Sequence, residues 1–143
     1  MKKNYIFYTF LFLFSLSINS QVVVGEGTIV NASVPIEPYY GYSYSQSIYN
    51  SNQINASGSI TGVSYTATAS TTLSTSGQWV VYVGLTDKEI FESTTDWIPV
   101  SELTQVYSAT AEAPTTISEE GVVIITFDVP FEYDGSSNLV IAV

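Results

Sequence analysis

Hydrophobic residues follow two rules in this 143-residue chain. From Tyr5 to Leu16 they run almost without interruption, whereas after Gln21 they recur with a period near two among Ser, Thr, Tyr, Val and Gly. Alternate side chains of a strand point to opposite faces, so that period predicts strands. No long stretch carries helical spacing. Val22-Val23-Val24 predicts a short first strand. Tyr42 to Tyr49 alternates, with Tyr42, Tyr44, Gln46 and Ile48 on one face and Ser43, Ser45, Ser47 and Tyr49 on the other. Ile60 to Ala69 predicts a second alternating strand. Trp79 to Leu85 is apolar on both faces, the mark of a central strand covered on both sides. Leu103 to Ala111, Val122 to Val129 and Leu139 to Val143 complete the set.

The intervening segments carry turn signals. Gly25-Glu26-Gly27 and Asn31 to Pro38 read as loop, with Pro35 and Pro38 breaking regular pairing. Asn50 to Ser59, Thr71 to Gly77 and Pro114 to Glu120 read as turns or loops. Thr86-Asp87-Lys88-Glu89 has capping-box spacing and predicts a single helical turn through Phe91. Pro130 to Ser137 reads as a turn signalled by Asp134-Gly135. Six or seven short strands at regular spacing predict an all-β fold, a jelly-roll-like or immunoglobulin-like antiparallel β-sandwich. Val143 falls inside an apolar strand, and unprotected strands invite pairing with other chains. The expectation is therefore one sandwich domain over residues 21–143, incomplete at its C-terminal end and part of a larger protein.

The first twenty residues change the cellular picture. Met1-Lys2-Lys3-Asn4 is basic, Tyr5 to Leu16 is apolar, and Ser17 to Ser20 is small and polar. These are the three regions of a secretory signal peptide cut before Gln21. The apolar run is short of the roughly 20 residues a spanning helix needs, and no basic stop-transfer cluster follows it. A secreted or cell-surface protein with no membrane insertion after cleavage is expected.

Charge and composition exclude several functions. Two of the three basic residues, Lys2 and Lys3, belong to the leader, leaving Lys88 against thirteen acids. Such a surface repels phosphate backbones, so a nucleic-acid partner is excluded. Cys, His and Arg are absent. Thiol nucleophiles, Ser-His-Asp triads, ordinary zinc sites and disulfide staples are therefore all excluded.

Several of these segments resemble a β-sandwich module of secreted and cell-surface Bacteroidota proteins. Pro38-Tyr39-Tyr40-Gly41-Tyr42 through Tyr49 is similar to its opening strand, and Trp79-Val80-Val81-Tyr82-Val83-Gly84-Leu85-Thr86 to its central strand. Phe91, Asp96-Trp97-Ile98-Pro99, Leu103 to Tyr107, Pro130 to Gly135 and Ser137 to Val143 continue the likeness, which covers most of the chain after the leader. The resemblance implies adhesin-like cargo of the type IX secretion system, set beside neighbouring domains of the same polypeptide. It implies a non-catalytic binding role and carries no site residues onto this chain.

Three groups of side chains are candidates for chemistry. Aromatic faces stack on sugar rings, with hydroxyls and amides bonding beside them. Tyr39 and Tyr40 in the Pro-flanked loop, with Gln46 and Trp97, form the candidate ligand-binding set. The competing reading places Tyr42, Tyr44 and Ile48 in the sandwich core and uses Trp97 to pin a loop across one sheet. Trp79 is expected in the core. Asp87, Glu89, Glu92 and Asp96 share one connection, and Asp134 stands near Asn138. Loop carboxylates suit calcium, although no D-x-D-x-D-G spacing occurs and a solvated acidic surface explains them equally. Calcium at Asp87, Glu89, Asp96 or Asp134 is the one cofactor considered.

The expected function is a secreted, non-enzymatic β-sandwich module of an adhesin-like surface protein, binding or spacing its neighbours. The alternative is a carbohydrate-binding accessory domain of a polysaccharide-degrading enzyme. A hydrolase is the remaining reading. It needs two opposed carboxylates about 5–10 Å apart in a cleft, and no pair is singled out by its surroundings. Expected partners are a carbohydrate or an extracellular protein.

Overall fold

The computed structural model describes residues 20–25, 31, 33–37, 39–66, 78–109, 116–117 and 121–143. The leader up to residue 19, the turn at 71–77 and most of the loop at 114–120 lie outside the described residues, as do Pro38, Ala67 to Ala69, Thr110 and Ala111. Among the described residues the chain is an all-β sandwich of two antiparallel sheets. In order, the strands are β1 (Gln46–Tyr49), β2 (Gly58–Thr66), β3 (Trp79–Thr86), β4 (Thr104–Ala109), β5 (Thr116–Ile117), β6 (Val122–Tyr133) and β7 (Asn138–Ala142). Sheet A has the order β1-β7-β3-β4 and sheet B the order β2-β6-β5.

The two sheets meet through the inward-facing half of each alternating strand. Trp79, Val81 and Val83 of β3, Val106 of β4, and Leu139 and Ile141 of β7 pack with Val123, Ile125 and Phe127 of β6. Val81, Val83, Val106 and Ile125 are among the largest fully buried side chains. Each contributes about 1.5–3 kcal/mol relative to an exposed position. Trp79 is in this core, as its strand pattern predicts.

The strand at the C-terminal end is not at an edge. β7 lies between β1 and β3, and Val143 and Ser45 exchange backbone hydrogen bonds of 3.1 and 3.0 Å. Leu139 to Val143 are all buried. Their continuous apolar run therefore marks a strand covered on both faces.

Local elements differ from the sequence expectations in several places, among them β5, a two-residue strand paired with β6 inside the loop expected at 114–120. A one-turn helix α1 (Ser51–Ile54) stands where a plain turn was expected, closed by Asn55 in the left-handed region at φ 46°. The Thr86–Glu89 segment forms no helix; Thr86 Oγ1 instead accepts the Lys88 N–H at 3.1 Å, a local turn that competes with helix. Val22 to Val24 form no strand, although Val24 packs on the core. β6 does not end before Pro130 but runs on to Tyr133. Its register against β2 jumps from Gly62↔Thr126 to Ile60↔Phe131, leaving Phe127 to Pro130 without partners on that strand. Proline lacks an N–H to donate, so it fits this irregular stretch without losing a ladder bond.

Alternation identified the two faces of the first strand correctly, but the inward face is the opposite of the one expected. Tyr49 packs against the core, while Tyr42 is 97% exposed and Tyr44 42%. The Tyr42–Tyr44–Gln46–Ile48 side is the outer face of sheet A. Large tyrosines suit a strand position on either side, so periodicity alone does not choose between them.

Candidate functional site

The connection between β3 and β4 folds back over the outer face of sheet A. Ile98 is buried within it, as are Val140 and Ala142 on the sheet below. At Gly84 a Cβ would lie 2.5 Å from Leu103 Cδ2 and 3.5 Å from Val140 Cγ1, so the returning chain approaches the sheet closely there. Gln46 clamps this layer down. Its Nε2 donates to the Ile98 carbonyl at 2.7 Å, and its Oε1 accepts the Ile98 N–H at 2.9 Å. One side chain thus imitates a strand's two ladder bonds.

The clamp sets two aromatic rings side by side. Gln46 Nε2 also lies 2.8 Å from the Tyr44 hydroxyl, which accepts from it. The Tyr44 and Trp97 rings stand 5.2 Å apart between centroids, tilted by 46°. Trp97 is 47% exposed. Beside the rings lies an open depression of about 340 Å³ lined by Gln46, Phe91, Ser93, Thr94, Asp96 and Trp97.

Asp96 organises the wall of this depression. Its carboxylate accepts the Lys88 ammonium at 2.7 and 2.8 Å and the Glu92 N–H at 3.0 Å. Those donors, Lys88 first, hold its carboxyl below the ordinary carboxylate range. The loop is further tied to β7 through Asn138. The Asn138 amide donates to the Lys88 carbonyl at 2.9 Å, and its Oδ1 accepts the Ser51 N–H at 2.9 Å.

The sequence candidates separate into three places. Gln46 and Trp97 come together at the depression. Tyr39 and Tyr40 pack edge to face at 5.1 Å and are 85% and 67% exposed. Asp134 lies at the β6–β7 turn, where its carboxylate accepts the Ser136 and Ser137 N–H groups and the Ser137 hydroxyl. These donors hold its pKa down at about 2. Tyr133, buried beside it, donates its hydroxyl to the Ser137 carbonyl at 2.7 Å. Asp87 and Glu89 lie in the β3–β4 connection without joining the others: among the described residues no three His, Cys, Asp or Glu side chains converge as a metal site.

Sequence reading missed Tyr44, Phe91, Ser93 and Thr94 as site residues. Alternation places Tyr44 in the core, whereas its ring stands on the outer side beside Trp97. The other three carry a signal only once the connection is known to fold back onto the sheet. No family model matches the chain, and comparison with curated proteins and with solved structures yields no match.

Proposed function

We propose that this chain acts outside the cytoplasm as a non-catalytic β-sandwich module of a surface protein, and that it binds carbohydrate at the Tyr44–Trp97 pair. The observation carrying this reading is the half-exposed Trp97, locked beside Tyr44 by the Gln46 clamp and bordering an open hydroxyl-lined depression. Leaving a large ring half in water costs apolar burial, and a sugar face recovers it. Rigid support lowers the ordering cost of binding, because the rings are already in place. The non-catalytic reading draws on Asp96, the one carboxylate among the described residues that line the depression: it is engaged by Lys88 and the Glu92 N–H, and glycoside hydrolysis needs a second acid opposite the first. The leader, and with it the extracellular location, rests on residues 1–20.

Tryptophan fluorescence tests this directly, because the two indoles report different places. Trp79 is 3% exposed and Trp97 47%. Titration with a panel of soluble polysaccharides should shift the emission of the parent protein and leave Trp97→Phe, which reports Trp79 alone, unshifted. Trp97→Ala and Tyr44→Ala should each abolish retention in affinity electrophoresis while keeping the parent's circular dichroism. Retention unchanged in both variants would assign the pair to packing.

A further inference from the structure

Resting on that carbohydrate reading, we infer the ligand's class: an uncharged polysaccharide offered as free, flexible chains, bound along a line from Trp97 past Tyr44 to Tyr42. Three features of the site carry it.

Ring geometry comes first. A flat crystalline face is matched by rings that share a plane. Tyr44 and Trp97 are 5.2 Å apart and tilted by 46°, so no flat surface lies on both. A single chain that turns between successive sugars does.

Charge comes second. Lys88 is the lone basic residue after the leader, and both Asp96 oxygens already hold its ammonium. Asp87, Glu89, Glu92 and Asp96 crowd the same connection. A uronate or sulfate entering the depression finds no free cation, and it meets the Asp96 carboxylate on the wall at a range well inside the Debye length of about 8 Å. Among the described lining residues, the Gln46 amide is committed to Ile98 and Tyr44, and the Ser93 hydroxyl bonds Thr95 and keeps part of its capacity, which leaves the Thr94 hydroxyl as the group with most bonding capacity to spare. Hydroxyls donate and accept, as neutral sugars do.

Third, the aromatic surface continues. Residues 42–45 run into β1 without turn or bend, and Tyr42 is 97% exposed. Side chains two apart in an extended chain share a side, about 7 Å apart. Tyr42 therefore extends the surface beyond the Tyr44–Trp97 pair by a further sugar.

The test uses the full chain against three polysaccharide sets: soluble neutral glucans, mannans, galactans and xylans; soluble alginate, pectate and sulfated galactans; and insoluble crystalline cellulose and chitin. Retention by at least one neutral soluble chain is expected, with affinity for every acidic polymer at least about tenfold weaker and no depletion by the crystals. Equal or tighter binding of an acidic polymer, or depletion by crystals, overturns the inference while leaving a carbohydrate module standing. Silence across all three sets removes both. For the bound polymer, Tyr42→Ala should weaken hexasaccharide binding about tenfold and leave disaccharide binding unchanged. Equal effects on the two lengths, or none on either, overturn the line through Tyr42.

Discussion

The outer faces of the two sheets are built for different neighbours. On sheet B, Ser64, Thr66, Ile124 and Thr126 are exposed, while Val123, Ile125 and Phe127 point inward, so β6 alternates between water and core. On sheet A, the chain between β3 and β4 returns across the outer face, so Val140 and Ala142 are as deeply buried as residues between the sheets. The same covering segment carries Trp97, Ser93, Thr94 and Asp96. The candidate site thus stands on a second layer of burial, and its geometry depends on packing that an exposed loop would lack.

Alanine substitutions on both sides of each sheet test that difference, and they carry the largest effects. Ile125→Ala, on the inner face of sheet B, should cost about 2–5 kcal/mol. Val140→Ala, on the outer face of sheet A, should cost about 2 kcal/mol from lost methyl groups and the cavity left behind. Ile124→Ala, one residue from Ile125 but facing outward, should change stability by about 0.5 kcal/mol or less. Urea unfolding measures all three. If Val140→Ala proves as mild as Ile124→Ala, the outer face of sheet A is not a packed layer.

The clamp comes next. Gln46→Ala removes both bonds to Ile98, leaving a buried residue's N–H and carbonyl without those partners, and should cost about 1–3 kcal/mol. Beyond stability, the Ile98 amide should exchange with deuterium faster and Trp97 emission should move toward that of a solvated indole. If exchange at Ile98 stays as slow as in the parent, the segment is held by its apolar contacts alone, and Gln46 does not position the site.

Much of the sandwich was legible in the sequence because burial on one face or both writes itself into the period. Trp79 to Leu85 reads as an interior strand and is one, between β7 and β4. Leu139 to Val143 reads as an unprotected end only while its neighbours are unknown; its continuous apolar pattern already carried the signal of two covered faces. Which face of Tyr42–Tyr49 turns inward was not legible, since Tyr and Ser alternate without saying which sheet lies opposite. Nor was the site: Gln46 meets Ile98 across 52 positions of sequence, and a side chain imitating a backbone ladder leaves no local motif. Asp134 is the opposite case. Asp-Gly followed by two serines is a turn signal, and the turn is what its carboxylate builds.

That turn gives the smallest and most selective effect, a dependence of stability on acid. Asp134 joins the end of β6 in sheet B to β7 in sheet A, and its pKa falls from an ordinary 3.8 to about 2 because the Ser137 and Ser136 N–H groups and the Ser137 hydroxyl donate to the ionised form. The unfolded chain takes up this proton first as pH falls, so the carboxylate's contribution is whole above about pH 4 and is lost progressively toward pH 2. The other acids oppose this trend, since the chain sets thirteen acids, Asp134 included, against one lysine after the leader, and protonation relieves their mutual repulsion. Comparison with Asp134→Asn isolates the turn from that background. The amide oxygen still accepts the two N–H groups but has no titration of its own, so the stability gap between parent and variant should hold steady from pH 7 to 5 and narrow from pH 4 to 2. A gap that stays constant down to pH 2 would mean that the serine donors bind the neutral acid as well as the carboxylate, and that the join between the sheets is held by Tyr133 and backbone geometry instead.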